Sequence, residues 1–280
     1  MLTAEVTIHR PIEERDRHVA VWYLHGGGLL YGARDDLPMP YVRMFTEAGY
    51  TLICADYPLC PETPLPQVVE NIYGAWLANV GKPVTAGLFD GYFLFGRSSG
   101  AYLSLLLARE IRRRGDGGAL PQPRGVLSFY GYFDPTDHAL CEPVAAYAAL
   151  PEVTETEALR IAHPGGEVVA SGAKARRYAL YVYARQHDRG WLRLVGLAGD
   201  GAAGSWCLSE EDISLLPPLF VTASSGDEDV PMRVSKSLAR LAPNATCAWV
   251  YHLPHDFDRN TSNDAGANAY RRAIDWMNEL

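Results

Sequence analysis

The chain has 280 residues, of which 48% are hydrophobic and 21% are charged. This is the composition of an ordinary globular protein, and it excludes a disordered or fibrous chain. Aspartate and glutamate number 33 against 25 lysines and arginines, which gives a net charge of −8 at pH 7. Because an acidic surface repels polyanions, we expect no nucleic-acid partner. The basic run Arg112–Arg114 lies at the end of a predicted helix, where cations complement the helix dipole.

The sequence contains none of the patterns that are typical of a membrane span, a secretory signal peptide or a metal site. No apolar stretch approaches the ~18 to 20 residues that cross a bilayer, and the N-terminal segment lacks the pattern of a secretory signal peptide. The sequence therefore predicts a cytoplasmic protein without a membrane span. Its five scattered cysteines form no CxxC pair, and no HExxH motif occurs, so we expect reduced thiols and neither a thiol zinc site nor a metalloprotease helix. A homo-oligomer remains possible.

Short apolar segments and segments with helical periodicity alternate along the chain. The predicted strands are Glu5–His9, Val19–Leu24, Thr51–Tyr57, Tyr92–Phe95, Gly125–Tyr130, Leu219–Ala223 and Thr246–His252. The predicted helices are Pro66–Val80, Ser99–Arg114, Ala173–His187 and Asn268–Leu280. This alternation predicts an α/β fold with a mostly parallel central sheet flanked by helices.

The alternation of strand and helix patterns stops at residues 135–216, which form a long segment of different character. An insertion of this length between two strands predicts a cap or lid subdomain on a core of residues 1–134 and 217–280. Caps over the edge of a sheet usually shape a pocket, so we expect this one to help to determine what the pocket binds. It contains six large aromatic residues, which could line that pocket or form the cap's own core: Tyr147, Tyr178, Tyr181, Tyr183, Trp191 and Trp206.

A candidate nucleophile lies in the sequence Gly96-Arg97-Ser98-Ser99-Gly100, which fits G-x-S-x-G. The pattern is weak by itself, but here it follows a predicted strand and opens a predicted helix. That is the strand–turn–helix setting of a nucleophile elbow, which exposes the serine hydroxyl. We therefore predict Ser98 as the nucleophile.

A second motif, His25-Gly26-Gly27-Gly28, follows the strand Val19–Leu24. Glycines let backbone N–H groups approach a substrate closely, and an oxyanion hole needs such fixed donors. We predict the N–H groups of Gly27, Gly28 and Ser99 as these donors. His25 is interpreted as a structural residue that braces the loop.

A serine nucleophile needs a base, and the base needs an orienting acid. Asp227 and Asp229 follow the strand Leu219–Ala223, and we predict Asp227 as the acid in preference to Asp229. His255 lies beyond the last predicted strand and is the predicted base, whereas His252 still belongs to that strand. The order Ser98, Asp227, His255 is that of α/β hydrolases.

These motifs together resemble the α/β-hydrolase superfamily, and specifically its hormone-sensitive-lipase-like esterase family. The matching segments are His25–Gly28, Asp56–Glu62, Gly96–Gly100, Gly226–Pro231 and His255–Phe257. The resemblance implies a Ser-His-Asp triad and a three-amide oxyanion hole at the positions given above. Two positions depart from the family pattern: Arg97 replaces the usual acidic residue before the nucleophile, and Pro58 stands where arginine is usual.

The sequence thus predicts a serine hydrolase that cleaves small-molecule carboxylic esters through an acyl-enzyme intermediate, with no metal and no organic cofactor. We expect short acyl chains to be preferred and the inserted cap to set the acyl or alcohol specificity. An amidase, a formamidase or a peptidase would use the same catalytic set. A ligand-binding protein on a retired hydrolase scaffold, as in the plant gibberellin receptors, is the alternative from a different class. Such retirement usually removes a catalytic residue, and all of the predicted ones are present.

Overall fold

A seven-stranded sheet forms the centre of the protein in a computed structural model that describes residues 5–115, 120–199 and 201–280. The strands are β1 (Val6–His9), β2 (Val19–Leu24), β3 (Tyr50–Ala55), β4 (Gly91–Arg97), β5 (Gly125–Phe129), β6 (Leu219–Ser224) and β7 (Ala245–Val250). Their order across the sheet is β1-β3-β2-β4-β5-β6-β7, and only β1 runs antiparallel to its neighbour. All seven predicted strands are present, with ends within two residues of the prediction, and the predicted fold class is confirmed.

The helices cover both faces of this sheet. They are α1 (Met39–Glu47), α2 (Leu65–Trp76), α3 (Lys82–Thr85), α4 (Ser99–Arg114), α5 (His138–Cys141), α6 (Ala145–Ala148), α7 (Glu155–Ile161), α8 (Lys174–Gln186), α9 (Gly190–Leu194), α10 (Glu210–Ser214), α11 (Met232–Leu241) and α12 (Asp264–Asn278). One apolar core lies under α2, α4 and α11, and the other lies under α1 and α12. Strands β2 to β6 are buried along their whole length because both faces are covered, which explains their continuous apolar sequences.

Two core helices, α1 and α11, were not predicted. Helix α1 has only 9 residues and begins next to prolines. It places Tyr41, Val42 and Phe45 in the core. Helix α12 begins at Asp264, four residues before the predicted start, because the side chain of Asn263 caps it by accepting the N–H of Ala265.

The segment between β5 and β6 folds into helices α5 to α10 and covers the carboxyl ends of the strands. Its longest helix, α8, agrees with the predicted helix 173–187. Arg177 of α8 forms a buried ion pair with Glu62, at 2.7 Å between Nη1 and Oε1, and donates to the carbonyl of Leu30. These bonds hold the segment against the rest of the protein, while its division from the core at residues 135 and 216 stays a prediction. Among the described residues, no helix is long and apolar enough to span a bilayer.

Candidate active site

Ser98 lies at a sharp turn between β4 and α4. Its φ of +53° and ψ of −122° are unusual for a residue with a side chain, which is the strained geometry of a nucleophile elbow. The turn is possible because Gly96 and Gly100 allow close backbone approach: a Cβ on Gly96 would lie 2.0 Å from the carbonyl oxygen of Gly100. The Ser98 N–H is fixed by the carbonyl of Phe129 at 2.8 Å, so the hydroxyl has a defined position at the start of α4.

The structure brings the side chains of Ser98, His255 and Asp227 into one hydrogen-bonded chain. Nε2 of His255 lies 2.8 Å from Oγ of Ser98, and Nδ1 lies 2.6 Å from Oδ2 of Asp227. The other carboxylate oxygen of Asp227 accepts the N–H groups of Asp229 and Val230 at 2.9 and 2.8 Å. The Asp227 carboxylate is therefore held from both sides, and it orients the His255 imidazole toward Ser98.

Asp229 and His252, which also follow β6 and β7, line the pocket, but their side chains take no part in this chain of hydrogen bonds. Oδ1 of Asp229 pairs with Nε of Arg185 at 3.0 Å, and its Oδ2 accepts the hydroxyls of Tyr147 and Tyr181 at 3.1 and 2.7 Å. Asp229 thus joins helices α6 and α8 to the loop that carries Asp227. The exposed side chain of His252 lines the pocket and makes no hydrogen bond to the described residues.

The environment of His255 favours its protonated form. Burial is the largest single effect and lowers the pKa of His255, but the charge and hydrogen bond of Asp227, with the charges of Asp229 and Asp256, together raise it further than burial lowers it. The net result is a pKa raised to about 9. An imidazole that binds protons this readily is a strong base toward the hydroxyl of Ser98, although it must first be neutral to act as one.

The glycine loop after β2 lies beside Ser98. Gly27 and Gly28 have φ values of +101° and +63°, and a Cβ on Gly28 would lie 2.3 Å from Cε2 of Tyr181. The N–H groups of Gly27, Gly28 and Ser99 make no hydrogen bond within the described residues. The loop is tied to the elbow because Leu29 donates its N–H to the buried Oγ of Ser99 at 3.3 Å.

His25 lies beneath this loop and is fully buried. Its ring stacks on that of Tyr57 at 4.1 Å, and the Tyr57 hydroxyl donates to the carbonyl oxygen of His25 at 2.8 Å. Its Nδ1 lies 2.8 Å from the carbonyl oxygen of Gly26. Burial lowers the pKa of His25, so the ring is a neutral support. These contacts agree with the interpretation of His25 as a brace.

A pocket of about 660 Å³ opens over Ser98. Three of the six aromatic residues predicted for the inserted segment line it, namely Tyr147, Tyr178 and Tyr181. Of the other three, Tyr183 and Trp191 are buried in the hydrophobic core, and Trp206 is partly buried against it. A pocket of this size accepts a small organic molecule, and its walls are contributed by both the glycine loop and the inserted segment.

The sequence identifies Arg97 as a departure from the family pattern but does not indicate which residues it contacts. The structure places its guanidinium in a buried cluster with Asp258, three residues beyond His255, and with Tyr130 at the end of β5. No local signal joins positions 161 residues apart in the sequence, so this cluster becomes visible only in the fold. Among the described residues, no group of three or more histidine, cysteine or acidic side chains is arranged to hold a metal ion.

Comparisons with known proteins agree with this architecture. An α/β hydrolase superfamily protein from Enterococcus faecalis is 31% identical, with a TM-score of 0.83 over 99% of this chain and 96% of that one. An esterase from Pyrobaculum calidifontis, at 18% identity, has a TM-score of 0.67 over 97% of this chain and 79% of its own, which shows the shared fold.

A curated relative, a non-reducing polyketide synthase of Penicillium roqueforti, is 31% identical over 166 residues. That match covers 54% of this chain but only 6% of the synthase, so this chain is far shorter than the curated relatives it matches. A family model described as the α/β hydrolase fold matches residues 21–228, which is most of the chain. The resemblance indicated by the sequence motifs is therefore confirmed, and the chain belongs to the α/β hydrolase family.

Proposed function

We propose that the protein is a serine hydrolase that cleaves carboxylic esters of small molecules. One observation carries the proposal: Ser98, His255 and Asp227 form a continuous hydrogen-bonded chain, at 2.8 and 2.6 Å, and Ser98 and His255 line the pocket. This is the arrangement in which a histidine activates a serine hydroxyl.

In the first half of the reaction, Oγ of Ser98 attacks the acyl carbonyl carbon while Nε2 of His255 takes the hydroxyl proton. The C–O bond to the alcohol then breaks, and the imidazolium returns the proton to the leaving oxygen. Asp227 holds Nδ1 of His255 and stabilises the imidazolium. The acyl group is left on Ser98 as an ester.

The negative charge that develops on the carbonyl oxygen requires fixed donors. The N–H groups of Gly27, Gly28 and Ser99 are suited to this role because Gly27 and Gly28 line the pocket, Ser99 directly follows Ser98, and none of the three N–H groups has an acceptor in the described residues. The N-terminus of α4 adds a favourable dipole at Ser98. Removal of one such donor from a serine hydrolase typically costs about 10²- to 10³-fold in kcat.

In the second half, a water molecule replaces the alcohol. His255 takes a proton from the water as it attacks the acyl carbon, and it returns that proton to Ser98 Oγ as the acid leaves. Every step uses side chains, backbone amides and water. We propose short acyl chains as the preferred substrates because the bulky side chains of Tyr147, Tyr178 and Tyr181 occupy part of the pocket wall.

Amide hydrolysis uses the same groups, so paired substrates decide between the two activities. We expect p-nitrophenyl acetate to be hydrolysed at least about 10²-fold faster than the matching anilide, because an amine is the poorer leaving group. A faster anilide reaction would instead identify an amidase.

A fluorophosphonate probe tests for an enzyme rather than a ligand-binding protein. Intact-mass analysis should show one adduct on the wild type and none on Ser98→Ala. A wild-type protein that neither reacts with the probe nor turns over any ester would overturn the proposal.

A further inference from the structure

The arginine next to the proposed nucleophile lies at the centre of a buried polar cluster. Arg97 is the last residue of β4, and only 2% of its surface is exposed. Its Nε donates to the Tyr130 hydroxyl at 2.7 Å and lies 3.0 Å from Oδ2 of Asp258. Its Nη2 donates to Oδ1 of Asp258 at 3.1 Å. The guanidinium therefore binds the carboxylate through two nitrogens, a geometry that lysine cannot reproduce.

Asp258 connects this cluster to the turn that carries the proposed base, His255. It is fully buried, follows His255 by three residues and accepts hydroxyl hydrogens from Tyr130 and Tyr270, both at 2.7 Å. The ring of Tyr130 also packs edge-on against the His255 imidazole, with 4.8 Å between the ring centroids. Tyr130 thus contacts both the cluster and the base, and its position depends on the Arg97–Asp258 pair.

The same guanidinium reaches the strand that leads into the glycine loop. Its Nη1 donates to the Tyr23 hydroxyl at 3.4 Å and lies 3.7 Å from Oδ1 of Asp36. Tyr23 precedes His25 by two residues on β2 and also donates to Asp36 at 2.6 Å. Arg97 therefore bonds to groups from the base turn, the end of β5 and the strand before the oxyanion loop.

A buried ion pair is weak evidence for stability, since well-packed apolar residues often serve a fold equally well. The contribution of this pair to catalysis can be larger than its contribution to stability, because a displacement of about 1 Å in a reacting group can cost about 10²-fold in rate. The Arg97 and Asp258 charges compensate each other, so their effect on His255 acts through geometry.

We propose that Arg97 and Asp258 are positioning residues that set the place of the His255 imidazole relative to Ser98. The inference rests on the proposed esterase activity.

Three variants separate positioning from stability: Arg97→Met, Asp258→Asn and the double variant. Arg97→Met leaves a buried carboxylate unpaired and should lower Tm, whereas the double variant removes both charges and should recover Tm. If the pair positions the base, kcat of the double variant stays about 10²-fold below wild type, with KM changed less than about threefold. A double variant with recovered Tm and near wild-type kcat would overturn the inference.

Arg109→Met is the matched control, because Arg109 is also a buried arginine, bonded to the carbonyls of Ser205 and Cys207, but does not line the pocket. It should lower Tm and leave kcat per folded molecule near wild type. Rates are normalised by fluorophosphonate titration of active sites so that loss of folded protein does not count as loss of rate.

Tyr130→Phe keeps the test valid if the charge variants fail to fold. It removes only the hydroxyl that joins Arg97 to Asp258 and keeps the ring against His255. We expect kcat to fall several-fold with KM unchanged, and an unaltered kcat would contradict the inference. A wild type without esterase activity would instead refute the proposed function, so the two failures are distinguishable.

Discussion

Tyr181 packs its ring directly against Gly28, so that a side chain from the inserted segment borders the proposed oxyanion loop. A Cβ on Gly28 would lie 2.3 Å from Cε2 and 2.6 Å from Cδ2 of that ring. Tyr181 is fixed from its other end by its hydrogen bond to Asp229. The position of the Gly28 amide and the shape of the pocket wall therefore depend on the same contact.

This contact predicts that Gly28→Ala lowers kcat by at least about 10²-fold. The added methyl must displace either the tyrosine ring or the backbone, and the φ of +63° is itself unfavourable for alanine. A displaced amide no longer stabilises the oxyanion. The measurement is kcat on p-nitrophenyl acetate. Gly74→Ala is the control, because a Cβ there meets nothing within 4 Å; it should keep full activity, and equal rates for both variants would refute the role of Gly28.

Ser98→Ala is expected to abolish turnover and to leave the fold intact. Loss of a triad nucleophile typically costs about 10³- to 10⁶-fold, and the small alanine side chain fits the elbow without a clash. Ser104→Ala in the adjoining helix α4 is the control, because among the described residues its buried hydroxyl bonds to the carbonyl of Gly100 alone. Steady-state kinetics and circular dichroism should show an inactive, folded Ser98→Ala and an active Ser104→Ala. Residual activity near the wild-type rate in Ser98→Ala would assign the nucleophile elsewhere.

The two acids that follow β6 should differ in which kinetic constant they change. Asp227→Asn should lower kcat by several orders of magnitude, because an amide cannot hold His255 in the required tautomer. Asp229→Asn should act mainly on KM, because Asp229 contacts Tyr147, Tyr181 and Arg185 in the pocket wall and its carboxylate does not bond His255. Substrate saturation curves for both variants check this difference. The reverse pattern would make Asp229 the acid.

The sequence could place the site residues at strand ends but could not show which side chains meet. Ser98, Asp227 and His255 each follow a predicted strand, and parallel strands bring such positions to one edge of the sheet. The choice between Asp227 and Asp229 was a ranking from the sequence alone, because both follow the same strand. In the structure, only Asp227 reaches the imidazole, since Arg185 of α8 pairs with Asp229.

Contacts between distant segments lay beyond sequence reasoning. The Arg97–Asp258 pair depends on where the turn after His255 packs, and periodicity carries no information about that. Helices α1 and α11 were missed for a related reason. They have only 9 and 10 residues and bury three and four side chains, so each shows the helical period over fewer than three turns.

The pH dependence of the reaction should follow the titration of His255. Only the neutral imidazole can accept the Ser98 proton, and the pKa of His255 in the free protein is raised to about 9. Therefore kcat/KM should increase about tenfold per pH unit from pH 6 and level off above about 9, later than an ordinary histidine near ~6.5 would allow. Because the Asp227 carboxylate raises this pKa, Asp227→Asn should move the residual activity profile to lower pH.

Rates measured from pH 5.5 to 10 and corrected for spontaneous ester hydrolysis test both shifts. His252→Gln is the control and should keep the wild-type profile. A wild-type midpoint at or below 6.5 would mean that burial outweighs the carboxylate at His255.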